Sequence, residues 1–123
     1  MRFYTQDNLW LEQVGVDVWR IGLMKAAVEL LQEITFCDFT IKSGTVTEGQ
    51  SLIFLEGLKT VREIVAPFSG VVLEANESVC NDLSLLNRYP ENSGWLILFQ
   101  GCPTDGIFLQ TEDIDAGNTA LDN

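Results

Sequence analysis

Lys59 is the residue whose type and position best suit covalent chemistry. It lies in the segment 56–60, EGLKT, between an apolar run at 52–55 and a second β-rich run at 61–66. Two such runs around a glycine-containing break predict a β-hairpin with Lys59 exposed at its tip. The chain contains no histidine, so we predict that this lysine is an attachment point rather than a catalyst. Without further support, a hairpin-tip lysine is most simply a solubility residue.

The other reactive side chains do not form a known constellation. Cys37, Cys80 and Cys102 are odd in number, widely spaced and without a CxxC pair. This pattern predicts three reduced thiols rather than a disulfide framework or a zinc site. The chain has neither a Ser/His/Asp set nor a glycine-rich phosphate loop. The sequence therefore predicts no catalytic residue, no metal and no enzyme activity of its own.

Composition limits the class of protein. The 123 residues fit one domain, and 46% hydrophobic residues with three tryptophans indicate a folded core. A formal net charge of −11 argues against nucleic acid and favours basic partner surfaces, unless it serves solubility alone. The first residues, MRFYTQDNLW, are not typical of a targeting leader. No window reaches the roughly 18 apolar residues of a membrane span. We therefore predict a cytoplasmic, monomeric protein without membrane contact.

The remaining elements are predicted to be short strands and one helix. Residues 3–21 predict two strands joined around 13–16, with Trp10 and Trp19 in or beside the core. The apolar spacing of Leu23–Ile34 is that of one face of a helix. Further predictions are short strands within 35–49, a strand at 71–75, a helical turn at 82–87 capped by Asn81 or Asp82, and a buried strand at 95–99. This pattern predicts a mainly β fold, a small sandwich or barrel with one helix.

The chain is predicted to divide near residue 100. Residues 1–100 carry the predicted strands and helix. Residues 101–123 contain five acidic residues, no Lys or Arg, and one apolar cluster at 107–109. We expect an acidic tail that is loosely held, with its last eight or so residues disordered.

An ordered set of motifs across residues 3–99 resembles the H protein of the glycine cleavage system. The hairpin segment EGLKT is similar to that family's E-S-V-K-A, and APFSGVV at 66–72 is similar to its A-P-x-S-G-x-V. Further segments match the family's motifs in the same order: Tyr4-Thr5 and Trp10, residues 18–22, Asn76, Leu86-Asn87, Tyr89 and GWLI at 94–97. A lone E-x-x-K carries no weight, but the ordered set covers about four-fifths of the chain. The resemblance implies a barrel-sandwich hybrid, the fold of lipoyl domains.

The resemblance also implies a set of site residues. Lys59 matches the lysine to which the family attaches lipoate through an amide. Glu56, three residues before it, and Gly70, eleven after it, stand at the offsets that the attaching enzymes recognise. Glu63 matches a family acid that contacts the lipoyl arm. Biotin carriers share the fold but flank their lysine with methionines, and Leu58 and Thr60 stand there instead.

The implied function is that of a lipoyl carrier without catalytic activity. Lipoyl-Lys59 would carry a methylamine group from glycine decarboxylase, the P protein, to aminomethyltransferase, the T protein. Dihydrolipoyl dehydrogenase, the L protein, would reoxidise it, and a lipoate ligase or lipoyl transferase would attach the lipoate. An unmodified adaptor that keeps only the fold is a further alternative.

The chain departs from the family at two places. The family's His-Glu pair before the opening tryptophan is replaced by Asn8 and Leu9, and leucine cannot pair with the protonated amine of a loaded arm. Residues 101–123 show no match to the family's C-terminal helix. In these departures, and in having Thr60 after the lysine, the chain resembles a branch of H-like proteins that occur with macrodomain and sirtuin-type partners. The alternative function is therefore a lipoate relay or target in redox-linked ADP-ribosylation signalling.

Overall fold

The structure, a computed structural model, describes residues 1–109. This part of the chain forms nine strands and three short helices. In chain order they are β1 Arg2–Tyr4, β2 Leu9–Gly15, β3 Val18–Leu23, α1 Lys25–Leu31, β4 Ile34–Phe39, β5 Gly44–Val46, β6 Ser51–Gly57, β7 Val61–Val65, β8 Gly70–Ala75, α2 Ser78–Asn81, α3 Ser84–Arg88 and β9 Ile97–Gln100. The predicted mainly β architecture is confirmed.

The strands form two antiparallel sheets with a core between them. One sheet has six strands in the order β1-β2-β3-β9-β8-β5, and the other has three in the order β4-β6-β7. Inward-facing side chains from both sheets are almost completely buried, among them Ile21, Leu55 and Phe99. Because both sheets contribute to one core, the fold is the expected barrel-sandwich hybrid.

Both tryptophans of the first strands are buried, as the sequence predicts. Trp10 is 0% exposed, and its indole nitrogen donates to the Pro90 carbonyl at 3.0 Å. Trp19 is 5% exposed and donates to the Gly101 carbonyl at 3.1 Å. Each indole therefore buries its ring while its single donor is satisfied.

The helix is shorter than the predicted Leu23–Ile34. Leu23 belongs to β3, where it pairs with Leu9, and Ile34 begins β4, where it pairs with Gly57. Both ends of the periodic segment are therefore in strands, because strand pairing overrides their helical propensity. The buried helical face is also different, since Val28 is buried while Leu30 is 64% exposed.

Residues 62–109 contain one predicted and one unpredicted helical turn. Helix α3 overlaps the turn predicted at 82–87, but its N-cap is Leu83 rather than the predicted Asn81 or Asp82. The Asp82 carboxylate still accepts hydrogen bonds from the backbone NH and the hydroxyl of Ser84. Helix α2 was not predicted, because Ser78–Asn81 carries only two apolar residues.

The first part of the predicted tail is held against the sheet. Phe108 stacks on Phe3 with ring centroids 4.9 Å apart and lies 5.8 Å from the Trp19 ring. Thr5 forms a β-bridge with Phe108, and the Leu109 NH donates to the Tyr4 carbonyl at 2.7 Å. The expectation of a loosely held tail is therefore wrong for residues 107–109, because their apolar side chains complete a cluster on β1 and β3. Residues 110–123, including the predicted disordered end, lie outside the described residues.

Candidate functional site

The hairpin of β6 and β7 places Lys59 where the sequence predicts it. Glu56 pairs with Val61 at the end of the ladder, and the Gly57 NH donates to the Thr60 carbonyl at 2.8 Å. Lys59 is therefore the third residue of a tight four-residue turn, and its side chain is exposed. An amine in this position is accessible to an enzyme that must form an amide with it.

The tip is braced from behind by the end of helix α1. The Leu58 NH donates to the Glu33 carbonyl at 3.0 Å, and the Lys59 NH donates to the Leu31 carbonyl at 3.3 Å. Gln32, with φ of 66°, turns the chain out of the helix between these two carbonyls. Three backbone hydrogen bonds therefore fix a turn that would otherwise be free in solvent, and this lowers the ordering cost of presenting the lysine.

Asn87 holds the segment that follows α1 in place, and the sequence analysis assigns this residue no role. Its side-chain oxygen accepts from the Ile34 NH at 2.8 Å, and its amide group donates to the Ile34 carbonyl at 3.0 Å. The two bonds join α3 to the chain that leaves α1. Asn87 belongs to the motif Leu86-Asn87, so the resemblance marked the residue without revealing its function.

Gly57 allows this close approach. A Cβ atom at residue 57 would collide with the carbonyl oxygen of Leu31 and lie 2.7 Å from the Leu31 Cβ. The obstacle is largely helix backbone, which cannot move aside as a flexible side chain would. The sequence EGLKT therefore encodes the helix–tip contact as well as the turn.

Glu56 lies on the outer face of the three-stranded sheet. It is exposed and pairs with Phe36 on one side and Val61 on the other, so all three side chains share that face. Phe36 is 47% exposed and Val61 is 58% exposed. An exposed carboxylate flanked by two apolar side chains therefore stands three residues before the lysine, on the same hairpin.

Gly70 has a structural reason for being glycine. It begins β8 and pairs with Val46 on β5. A Cβ atom there would collide with the Gln100 carbonyl oxygen and lie 2.9 Å from the Phe99 ring. The close approach of β9 therefore accounts for this glycine by packing alone.

A cleft lies between the β1–β2 loop and strand β7. It has a volume of about 380 Å³ and is lined by Gln6, Asp7, Asn8, Leu9, Arg62, Glu63, Ile64 and Val65. The two departure positions, Asn8 and Leu9, therefore line the same cleft as Glu63. Leu9 is 2% exposed, so it contributes an apolar wall to this cleft. Glu63 lies at the edge and is exposed.

Arg62 lines this cleft beside the β1–β2 loop, and no sequence signal identified it. Strand alternation places Arg62 on the inner side of the sheet, opposite Leu55, whereas Glu63 pairs with Phe54 on the outer side. The Arg62 guanidinium donates to the Asp7 carbonyl. Burial lowers the pKa of Arg62 from its ordinary value, but a guanidinium remains charged at neutral pH. The cleft therefore contains one cation, Arg62, together with the acidic residues Asp7 and Glu63.

Residues 1–109 contain neither a membrane-spanning helix nor a cluster of metal ligands. No helix in this range is long and apolar enough to cross a membrane. The same residues contain no cluster of three or more potential metal ligands.

Comparisons with known proteins agree with the geometry. The model of the family described as "Glycine cleavage H-protein" matches residues 2–105. A "Glycine cleavage system H-like protein" from Chlamydia muridarum is 28% identical over 98% of this chain and 96% of its own. A "Glycine cleavage system H protein" from Dinoroseobacter shibae is 35% identical over 76% of each chain.

The fold is similar to that of a solved relative. The crystal structure of a glycine cleavage system H protein from Mycobacterium marinum superimposes with a TM-score of 0.81 at 28% identity, covering 96% of both chains. With the family match across residues 2–105, this likeness confirms the resemblance drawn from the ordered motifs: the chain belongs to the glycine cleavage H-protein family.

Proposed function

We propose that the protein is a lipoyl carrier and that Lys59 is its attachment site. The observation that carries the proposal is an exposed lysine on a turn held by three backbone hydrogen bonds, in a chain of the H-protein family. Lipoate would be held by an amide to the Lys59 Nζ, and its dithiolane would supply the redox and group-carrying chemistry. The protein itself presents the arm and is not an enzyme.

The specific cargo we propose is the methylamine group of glycine cleavage. The partners would be glycine decarboxylase, aminomethyltransferase, dihydrolipoyl dehydrogenase and a lipoate ligase or lipoyl transferase. The names of the relatives support this assignment. The net charge of −11 favours encounter with basic partner surfaces. A monomeric state and a cytoplasmic location stay predictions of the sequence.

Glu56 and Gly70 are proposed to guide the attaching enzyme. Glu56 offers an exposed carboxylate on the same hairpin as Lys59, between two exposed apolar side chains. Gly70 acts at a distance, by keeping β8 and β9 close together behind the hairpin. Glu63, at the edge of the cleft, is proposed to contact the arm.

The geometry of the cleft favours one part of the alternative function. Leu9 stands where the resemblance implies a carboxylate, and the Arg62 guanidinium lies in the same cleft as Asp7 and Glu63. A carrier of this kind keeps the attachment site while holding an amine-bearing arm less tightly, which fits a lipoate relay. None of the relatives described above is named for ADP-ribosylation, so the signalling role has no support of this kind.

Intact mass spectrometry tests the attachment. The protein would be expressed with lipoate and a lipoate ligase, alongside Lys59→Ala and the matched control Lys25→Ala, another exposed lysine. We expect the mass of one lipoyl group on the wild type and on the control, and none on Lys59→Ala. Absence of the added mass from wild type would favour the unmodified adaptor.

A second assay tests the cargo. The lipoylated protein would be added to glycine decarboxylase, and the exchange of labelled bicarbonate into glycine would be measured. Turnover that depends on Lys59 supports the methylamine carrier. Complete lipoylation without turnover would reject that cargo and favour the relay, while leaving the attachment site intact.

A further inference from the structure

Two cysteines that are far apart in sequence meet at one end of the molecule. Cys37 lies on β4 of the three-stranded sheet, and Cys80 lies in α2, which follows β8 of the six-stranded sheet. The two residues are 43 positions apart, and their Sγ atoms are 2.8 Å apart. A disulfide bond needs about 2.05 Å, so the sulfur atoms must approach by less than about 1 Å.

The surroundings of the pair leave Cys80 more accessible than Cys37. Cys37 is 8% exposed, whereas Cys80 is half-buried. A cleft leads to them and is lined by Cys37, Asp38, Phe39, Lys42, Glu77, Cys80 and Asn81. Lys42 and Glu77 form an ion pair at 2.8 Å in this cleft. A small reagent therefore reaches Cys80 first, with Cys37 directly behind it.

We propose that Cys37 and Cys80 are a thiol–disulfide exchange site that a small-molecule disulfide such as oxidised glutathione converts to an intramolecular disulfide. The Cys80 thiolate attacks one sulfur of oxidised glutathione, forms a mixed disulfide and releases one glutathione thiolate. The Cys37 thiolate then attacks the Cys80 Sγ and releases the second. The two cysteine thiols lose two protons and two electrons, which reduce the reagent to two glutathione molecules.

The disulfide would join β4 of the three-stranded sheet covalently to helix α2. It closes a chain segment of more than 40 residues, and cross-links across long segments restrict the unfolded chain most. Burial raises the pKa of the Cys80 thiol, the group that starts the exchange. Exchange is therefore slow at neutral pH and faster at about pH 8.5, where more thiolate is present.

The native protein would be tested in a Cys102→Ser background, which removes the exposed third thiol. It would be incubated with excess oxidised glutathione, alkylated and digested with trypsin. Cleavage after lysine and arginine places Cys37 in peptide 26–42 and Cys80 in peptide 63–88. We expect these two peptides to be linked and the intact protein to lose the mass of two hydrogens.

A thermal measurement provides an independent readout. We expect the oxidised protein to melt about 5 °C or more above the reduced one, because the cross-link raises the free energy of unfolding. The matched variant Cys80→Ser should show no redox-dependent shift. Glutathione adducts without the linked peptides, or no reaction at all, would overturn the proposal, and neither outcome requires a variant to fold.

Discussion

The hairpin tip and the cleft beside β7 contrast within one small domain. The tip carries Lys59 and Glu56 at the spacing expected for lipoate attachment, and the end of α1 holds it by backbone hydrogen bonds. The cleft carries Leu9 where the resemblance implies an acid, and the Arg62 guanidinium lies in it and donates to the Asp7 carbonyl. Under the proposed function, presentation of an arm and reception of a loaded arm are separate properties. The residues proposed for the first are all present, whereas Leu9 replaces an acid proposed for the second.

The support of the tip gives the largest expected effect on stability. Gly57→Ala places a Cβ against the Leu31 carbonyl, and relief of this overlap must move α1 away from the turn. We expect a loss of about 1–3 kcal/mol in the free energy of unfolding and slower lipoylation. Chemical denaturation and a ligase assay would measure the two effects.

Gly15→Ala is the matched control for Gly57→Ala. Gly15 also lies in a strand, but a Cβ there meets Val18 at an ordinary 3.5 Å. We expect a change within about 0.5 kcal/mol. Equal effects of the two variants would show that close packing against α1 is not what makes residue 57 sensitive.

Removal of the Asn87 side chain tests the hydrogen bonds that hold Ile34, just after the end of α1. Asn87→Ala deletes two hydrogen bonds to Ile34 and leaves half-buried backbone groups without partners. We expect a loss of about 1–3 kcal/mol and a tip that is modified more slowly, measured by urea denaturation and by ligase kinetics.

Asn92→Ala is the control for Asn87→Ala, because Asn92 is exposed in a loop. It should remain within about 0.5 kcal/mol of wild type. Unchanged lipoylation in Asn87→Ala, despite the loss of stability, would contradict the view that the brace presents Lys59.

A substitution in the cleft is expected to change the stability least. It is also the most direct test of whether the arm carries methylamine. Arg62→Ser removes the resident cation, and water replaces the guanidinium at the Asp7 carbonyl. We expect a change in the free energy of unfolding below about 1 kcal/mol. Slower loss of methylamine from the loaded arm is expected, since repulsion of the protonated amine is relieved.

The half-life of the loaded carrier, measured by mass spectrometry, checks the Arg62 prediction. Lys42→Ala is a charge-matched control, since Lys42 lies in the cleft beside Cys80 rather than beside Arg62. An unchanged half-life in Arg62→Ser, or the same change in both variants, would show that Arg62 does not control arm retention.

The sequence by itself determined the hairpin, the exposure of Lys59, the mainly β fold and the family. Turn residues and alternating side chains act between near neighbours, so these features are local and can be recognised in the sequence. Ordered motifs then extended the prediction to about four-fifths of the chain. The predicted helix failed at its ends because pairing of Leu23 and Ile34 with distant strands overrode local periodicity.

Only the tertiary structure decided which distant residues meet. Asn87 reaches Ile34 across 53 positions, Arg62 reaches Asp7 across 55, and Cys80 reaches Cys37 across 43. None of these pairs has a characteristic spacing, since sheet packing and not the local backbone brings the partners together. The support of the lysine, the cation in the cleft and the thiol pair therefore became visible only once the chain was folded.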